Sequence, residues 1–298
     1  MKNKILICIL LFTIQTIFAL EFNSIIISTN WLEENIDEPE LLIYHIGDNY
    51  AEEHIPNAHN LQLDRLCDYN RNGLDYEMPE VQDLQQYLSE MGVTQDSKIV
   101  LYYENEAYIS DAARIYVTLD YAGLSDNVAV LNGGLAKWKN EEKKTTQIVP
   151  DNVSGDIEVV LNERIIVDSD WILKMMNESY FYLVDARPMS LYDGTEENTD
   201  FVRNGHILYA LNIPFYEVQK DEPVYELKDD FDLEQLFINN NIEPGSIIVT
   251  YCNTGYWASV IYLAAKAVNY EVYLYDASFQ EWNRDESLPV MQPVEYEK

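Results

Sequence analysis

Ser246-Ile247-Ile248-Val249-Thr250-Tyr251-Cys252-Asn253-Thr254-Gly255-Tyr256-Trp257-Ala258-Ser259 reads as three pieces in succession. β-Branched and aromatic residues crowd Ile247 to Tyr251, which predicts a central strand. Cys252 to Trp257 is a short loop. Ala258, Ile261, Tyr262 and Ala265 then recur at helical spacing. A strand that passes through a tight loop into a helix leaves N–H groups of the loop and first helical turn without intrahelical partners. They can converge on the atom at the strand's end. That atom is the sulfur of Cys252. The positive end of the helix favours an anion there, so the thiol is expected to ionise more readily than usual. Gly255 permits the positive φ that a tight loop often needs. The competing reading is a buried cysteine that packs as a small hydrophobe.

The same plan occurs earlier in the chain, about 145 residues upstream. Lys98-Ile99-Val100-Leu101-Tyr102-Tyr103 parallels Ser246 to Tyr251, and a helical pattern through Ala112, Ile115, Tyr116 and Leu119 follows it. Ser28-Thr29-Asn30-Trp31-Leu32 pairs with Ser169-Asp170-Trp171-Ile172-Leu173, each a helix start with Ser as the expected N-cap. Leu41 to Tyr44 and Tyr182 to Val184 are candidate buried strands. His54-Ile55-Pro56-Asn57-Ala58-His59-Asn60 matches His206-Ile207-Leu208-Tyr209-Ala210-Leu211-Asn212, and each half closes on a Trp, Trp138 and Trp282. Strands alternating with helices imply parallel strands joined by right-handed crossovers. The expected fold class is therefore α/β, with two tandem domains, each a small, mostly parallel sheet flanked by helices. The expected boundaries are 24–140 and 161–292, joined by a polar linker over 141–160. Ligands of such sheets bind beyond the carboxyl ends of the strands, where Cys252 lies.

Composition narrows the function classes. The 298 residues carry 19 Lys and Arg against 52 Asp and Glu, a formal charge of −33. That shell repels phosphate backbones and anionic membrane surfaces, so no nucleic acid is expected as a partner. Lys2 and Lys4 precede an apolar run from Ile5 to Phe18, and Ala19 follows. Residues 1–20 read as a secretory signal peptide, which places the mature chain outside the cytoplasm, in a periplasm or its equivalent, with no stable membrane association after cleavage. Cys8 would leave with that leader. Cys67 and Cys252 remain, too few for a disulfide framework, though one bridge between them would block Cys252. Gly-rich phosphate loops, paired-cysteine motifs and His clusters are absent from the sequence, so no cofactor or metal is implied. A phosphatase-type loop needs an arginine to grip the oxyanion at the position where Ala258 stands, and the next arginine is Arg284.

The chain resembles the two-domain rhodanese family, which includes thiosulfate and 3-mercaptopyruvate sulfurtransferases. The resemblance rests on the repeated His-Ile-x-x-Ala-x-Asn segments, Leu131-Asn132-Gly133-Gly134-Leu135-x-x-Trp138, Asp185-Ala186-Arg187 and the loop that starts at Cys252. It covers roughly residues 25–290. It implies Cys252 as the nucleophile, a persulfide intermediate, a small-molecule sulfur donor, and a thiol or cyanide acceptor, with a protein acceptor as the alternative. It also implies an inactive first domain. The repeats align so that Glu104 is expected at the place of the cysteine. Asn253, Thr254, Gly255, Tyr256 and Trp257 are the expected binding loop. They offer hydrogen bonds and aromatic walls but no cation, whereas loops of the thiosulfate enzymes usually carry basic residues. Arg187 is the nearest motif-matched cation. Its fork suits a carboxylate or sulfonate, or else a structural salt bridge. Cys67 and His206 are read as structural. The rival from another class is a non-catalytic binding scaffold.

Overall fold

The computed structural model describes residues 20–151, 154–196, 199–220 and 224–292. The expected signal peptide therefore lies almost wholly outside the described residues. No helix among them is long and apolar enough to cross a membrane.

The first half runs β1 (Ile26–Ile27), α1 (Thr29–Asn35), β2 (Leu41–Ile46), β3 (Ala58–Asn60), β4 (Asp68–Arg71), β5 (Leu74–Glu77), α2 (Val81–Glu90), β6 (Lys98–Tyr103), α3 (Ile109–Tyr121), β7 (Val128–Leu131) and α4 (Gly134–Asn140). The second runs α5 (Ser169–Met175), β8 (Phe181–Asp185), α6 (Met189–Tyr192), β9 (His206–Ile207), β10 (Leu211–Asn212), α7 (Asp230–Asn239), β11 (Ile247–Tyr251), α8 (Ala258–Ala267), β12 (Glu271–Leu274), α9 (Ser278–Trp282) and β13 (Val290–Met291). The first sheet is ordered β1-β7-β6-β2-β3 and the second β10-β8-β11-β12, with every pairing parallel. β4 and β5 form a separate antiparallel hairpin. The expected α/β architecture with two parallel sheets is the observed one.

Each sheet has an outer core of its own. Val100, Ala129, Leu135 and Trp138 pack on the outer side of the first sheet, and Val249, Tyr251, Phe279 and Trp282 on that of the second. The inner faces share one continuous core, in which α3 and α8 pack together and Ile115, Tyr116, Ile261 and Leu263 are buried. Full burial of one such aliphatic side chain contributes about 1.5–3 kcal/mol, so the seam between the halves is cohesive in its own right. Polar clasps cross it. Asp120 of α3 is fully buried and accepts from the Tyr262 hydroxyl of α8 at 2.7 Å, and Lys266 of α8 also bonds it.

The connecting stretch shows more than the sequence reveals, and one helix cap is corrected. The stretch expected to be a polar linker is docked on the first half: His54 and Thr146 exchange backbone bonds at 2.9 and 2.8 Å, Gly155 N donates to Ser89 O, and Ile157 and Val159 are buried. The second helix start is capped by Asp168 rather than Ser169: its carboxylate accepts from Trp171 N at 2.8 Å, whereas Ser28 caps α1 as expected. A carboxylate one residue earlier competes successfully for the same orphan N–H.

His45, fully buried on β2, gives the fold a testable pH response. Burial holds its imidazole down to about 4, partly offset by the Glu104 carboxylate 3.7 Å away and reinforced by His54. An unfolded histidine binds its proton near pH 6.5, so between there and about 4 the unfolded chain holds more protons and stability falls with falling pH. This group alone should cost on the order of 2 kcal/mol across that window. His45→Gln is expected to flatten the acid side of the stability profile measured by urea unfolding. Identical slopes in the two proteins would remove His45 from that role.

Candidate active site

Cys252 directly follows β11, the strand between β8 and β12, and its side chain is buried, 1% exposed. Its amide donates to the Ser278 hydroxyl at 3.2 Å. Its carbonyl accepts from Phe279 N, and that of Asn253 accepts from Gln280 N, both at 3.0 Å, so the loop is bolted to the start of α9. Backbone N–H groups of Thr254, Ala258 and Trp257 donate to the sulfur. The expected cradle is present.

Its electrostatic outcome differs from the expectation. Burial pushes the Cys252 thiol up, and the three N–H donors only partly draw it back. Asp185 nearby adds to the upward push. Withdrawing an anion from water outweighs the hydrogen bonds that a short loop and one helix end can supply. The resting sulfur is therefore a thiol whose ionised form, once reached, is held by three donors. Among the described residues no disulfide engages it: Cys67 sits in the first half, buried, with its thiol directed at Leu63 O.

The remaining loop residues line two sides of the sulfur's surroundings. Gly255 has φ +81°, and a Cβ there would lie 2.8 Å from Asp276 O. Tyr256 packs at a tilt against Tyr76 of the β5 strand, ring centroids 4.9 Å apart, and donates its hydroxyl to Asp111 of α3. Trp257 lies flat on Phe215 at 5.1 Å. Beside Asn253 and Thr254 opens a cleft of about 260 Å³, also lined by Asp75, Gln280, Asn283 and Arg284. Arg284 is exposed there and was legible in sequence only as an arginine too distant to serve the loop. The short α9 and its turn bring it back to the mouth. Asp75 arrives from the other half on the β4–β5 hairpin, bonded through its backbone to the Gln280 amide. No sequence pattern near Cys252 points to it.

Arg187 is placed in the structural role. Its guanidinium is 2% exposed, its Nε and one terminal nitrogen fork onto Asp185 at 2.9 and 2.6 Å, and the same terminal nitrogen reaches Gly205 O. A donor anion could engage that fork only by displacing a buried carboxylate. His206 stacks on Tyr192 and bonds Tyr192 O at 2.8 Å, just as His54 stacks on Tyr50 and bonds Tyr50 O.

The first half carries no thiol at the matching place, but the residue there is not Glu104. Asp185 pairs with Tyr251 and His45 with Tyr102, and the hydroxyls of Tyr251 and Tyr102 accept from Ile207 N and Ile55 N at 3.1 and 3.0 Å. The next residue is Cys252 in one half and Tyr103 in the other. Glu104 corresponds to Asn253. Tyr103 is buried, and its hydroxyl takes Gly133 N and reaches Tyr225 O. A phenol has no sulfur-carrying chemistry.

The rhodanese-like domain model matches twice, over residues 28–141 and 168–285. The chain belongs to the rhodanese-like family. The 3-mercaptopyruvate sulfurtransferase of Escherichia coli K12 is 27% identical over 282 residues, covering 90% of this chain and 98% of the relative. Thiosulfate sulfurtransferase of Rattus norvegicus is 26% identical, covering 87% and 92%. The crystal structure of SseA from Escherichia coli, described as a 3-mercaptopyruvate sulfotransferase, superposes with a TM-score of 0.74 at 26% identity, covering 86% of this chain and 99% of that one. By family and by these relatives the chain is an enzyme of the sulfurtransferase class.

The thiolate is the reactive form of cysteine. With the folded value above that of an ordinary thiol, the rate of Cys252 alkylation by iodoacetamide should climb only at more alkaline pH than that of a cysteine in an unfolded peptide. A midpoint below the ordinary thiol would mean that the cradle outweighs burial, against this reading.

Proposed function

We propose that the chain moves a sulfane sulfur from a small anionic donor, of the thiosulfate or 3-mercaptopyruvate class, to a thiol or cyanide through a persulfide on Cys252. The observation that carries the reading is the convergence of the Thr254, Trp257 and Ala258 N–H groups on the sulfur at the end of β11. The Cys252 thiolate attacks the donor's outer sulfur. A sulfur–sulfur bond forms, the bond from that sulfur to the rest of the donor breaks, and its electron pair leaves with sulfite or with the enolate of pyruvate. A nucleophilic acceptor then attacks the outer sulfur and the pair returns to Cys252. The N–H groups hold negative charge at each stage, which is where electrostatic catalysis is most effective. Arg284, which also bonds Gly73 O, supports an anionic donor as the cation that lines the cleft beside Asn253 and Thr254, where it offsets the carboxylates of Asp75 and Asp200.

Cyanide-dependent thiocyanate release from thiosulfate and from 3-mercaptopyruvate tests the scheme. Cys252→Ser should lose at least ~10³-fold in rate. Initial-rate plots at varied donor and acceptor should be parallel, the signature of double displacement. Arg284→Gln should raise KM for both donors with little change in kcat. Activity that survives in Cys252→Ser would end the reading.

A further inference from the structure

The half that carries Tyr103 in place of the loop cysteine reaches into the other half's Cys252 loop through Arg114. This residue lies on α3, is fully buried, and points across the seam. One terminal nitrogen donates to Asp276 Oδ1 at 2.6 Å and the other bonds Tyr76 O on the β5 strand. Asp276 lies two residues past the end of β12, and its second carboxylate oxygen accepts from Met78 N at 2.8 Å. The guanidinium thus ties three segments together: α3, the β4–β5 hairpin, and the turn beneath the cysteine loop.

Gly255 rests on that knot. A Cβ added to it would lie 2.8 Å from Asp276 O, 3.1 Å from Asp276 Oδ1 and 3.2 Å from the Arg114 nitrogen. Gly255 is also the residue between the donors, with Thr254 before it and Trp257 and Ala258 after it. Its own carbonyl accepts from Ser259 N and the Ser259 hydroxyl, which joins it to the first turn of α8. Where Gly255 sits therefore sets how the three N–H groups aim at the sulfur.

We infer that Arg114 is a positioning residue for the transfer reaction: from the silent half, through Asp276 and Gly255, it holds the N–H cradle in register on Cys252. The inference rests on Cys252 as the sulfur-bearing residue. Charge alone does not account for the role, because Arg114 is paired with Asp276 and its field at the sulfur is largely cancelled. Glu77 and Cys67 are the other ionisable neighbours that it feels, and Asp185 and Arg187 are those beside Cys252. The role is one of geometry.

The test is the pH dependence of Cys252 alkylation in the full chain. Arg114→Met combined with Asp276→Asn removes both charges together, leaves no buried ion alone, and keeps an oxygen for Met78 N. The expected result is a folded protein in which alkylation at neutral pH is slowed at least ~5-fold and its midpoint moves alkaline, because donors to the thiolate are lost. Arg114→Lys keeps the charge but not the fork. It should show a smaller shift in the same direction with near-native melting, and it carries the test if the double variant does not fold. A profile that superposes on wild type in a folded variant overturns the inference. Sulfur loading of the wild-type protein is followed in parallel. If Cys252 never takes up sulfur, the transfer reading fails, while the alkylation profiles still decide whether Arg114 sets the cradle.

Discussion

Burial and hydrogen bonding pull the Cys252 sulfur in opposite directions, and the site is arranged around that contest. The end of a parallel strand delivers the thiol to the seam between two halves, out of water, where an anion is costly. Three backbone N–H groups then face it. They are held by a six-residue loop that is pinned on one side to α9 through the Cys252 and Asn253 carbonyls and on the other to α8 through Gly255. The result is a sulfur that is difficult to ionise at rest and well held once negative. Such a balance suits the proposed role of Cys252 in accepting sulfur and later releasing it, since a thiolate too stable would be a poor nucleophile.

The duplicated architecture gives this site its walls. Each half has the same strand, loop and helix, the same stacked Tyr–His pair and the same tyrosine hydroxyl bonded to an Ile N–H. The halves differ at one atom that matters. Where one places a thiol, the other places the Tyr103 ring, whose hydroxyl is used up in the fold. The second copy is then available for another task. Its hairpin supplies Asp75 and Tyr76 to the mouth and to Tyr256, and its α3 supplies Asp111, Arg114 and Asp120 to the seam. In this chain the two rhodanese-like domains are arranged so that the half with Cys252 is clamped by the other.

Periodicity made much of this legible. Alternating strand and helix patterns, the paired Trp138 and Trp282, and the strand–loop–helix at Cys252 identify the fold, because each is a local feature with its own spacing. What failed was non-local. Two adjacent tyrosines, Tyr102 and Tyr103, let the repeats align one residue out, and it takes the strand register and the hydroxyl bond to Ile55 N to show which of them matches Tyr251. Arg187 sits two residues from Asp185, and spacing cannot say whether such a guanidinium forks back on its neighbour or out to a ligand. Arg284 and Arg114 lie far from Cys252 in sequence. One returns by a helical turn and the other crosses the seam, and neither path leaves a mark in composition. The ionisation of the thiol departs from the sequence expectation for a different reason: a helix end is visible in sequence, but the depth of burial opposing it is not.

The most direct measurement is peptide-resolved mass spectrometry of the intact enzyme after brief exposure to thiosulfate or 3-mercaptopyruvate and removal of the donor. The account predicts one added sulfur atom, on the peptide that contains Cys252, which disappears when cyanide is added. An unmodified Cys252 peptide, or sulfur found on Cys67 instead, would contradict it.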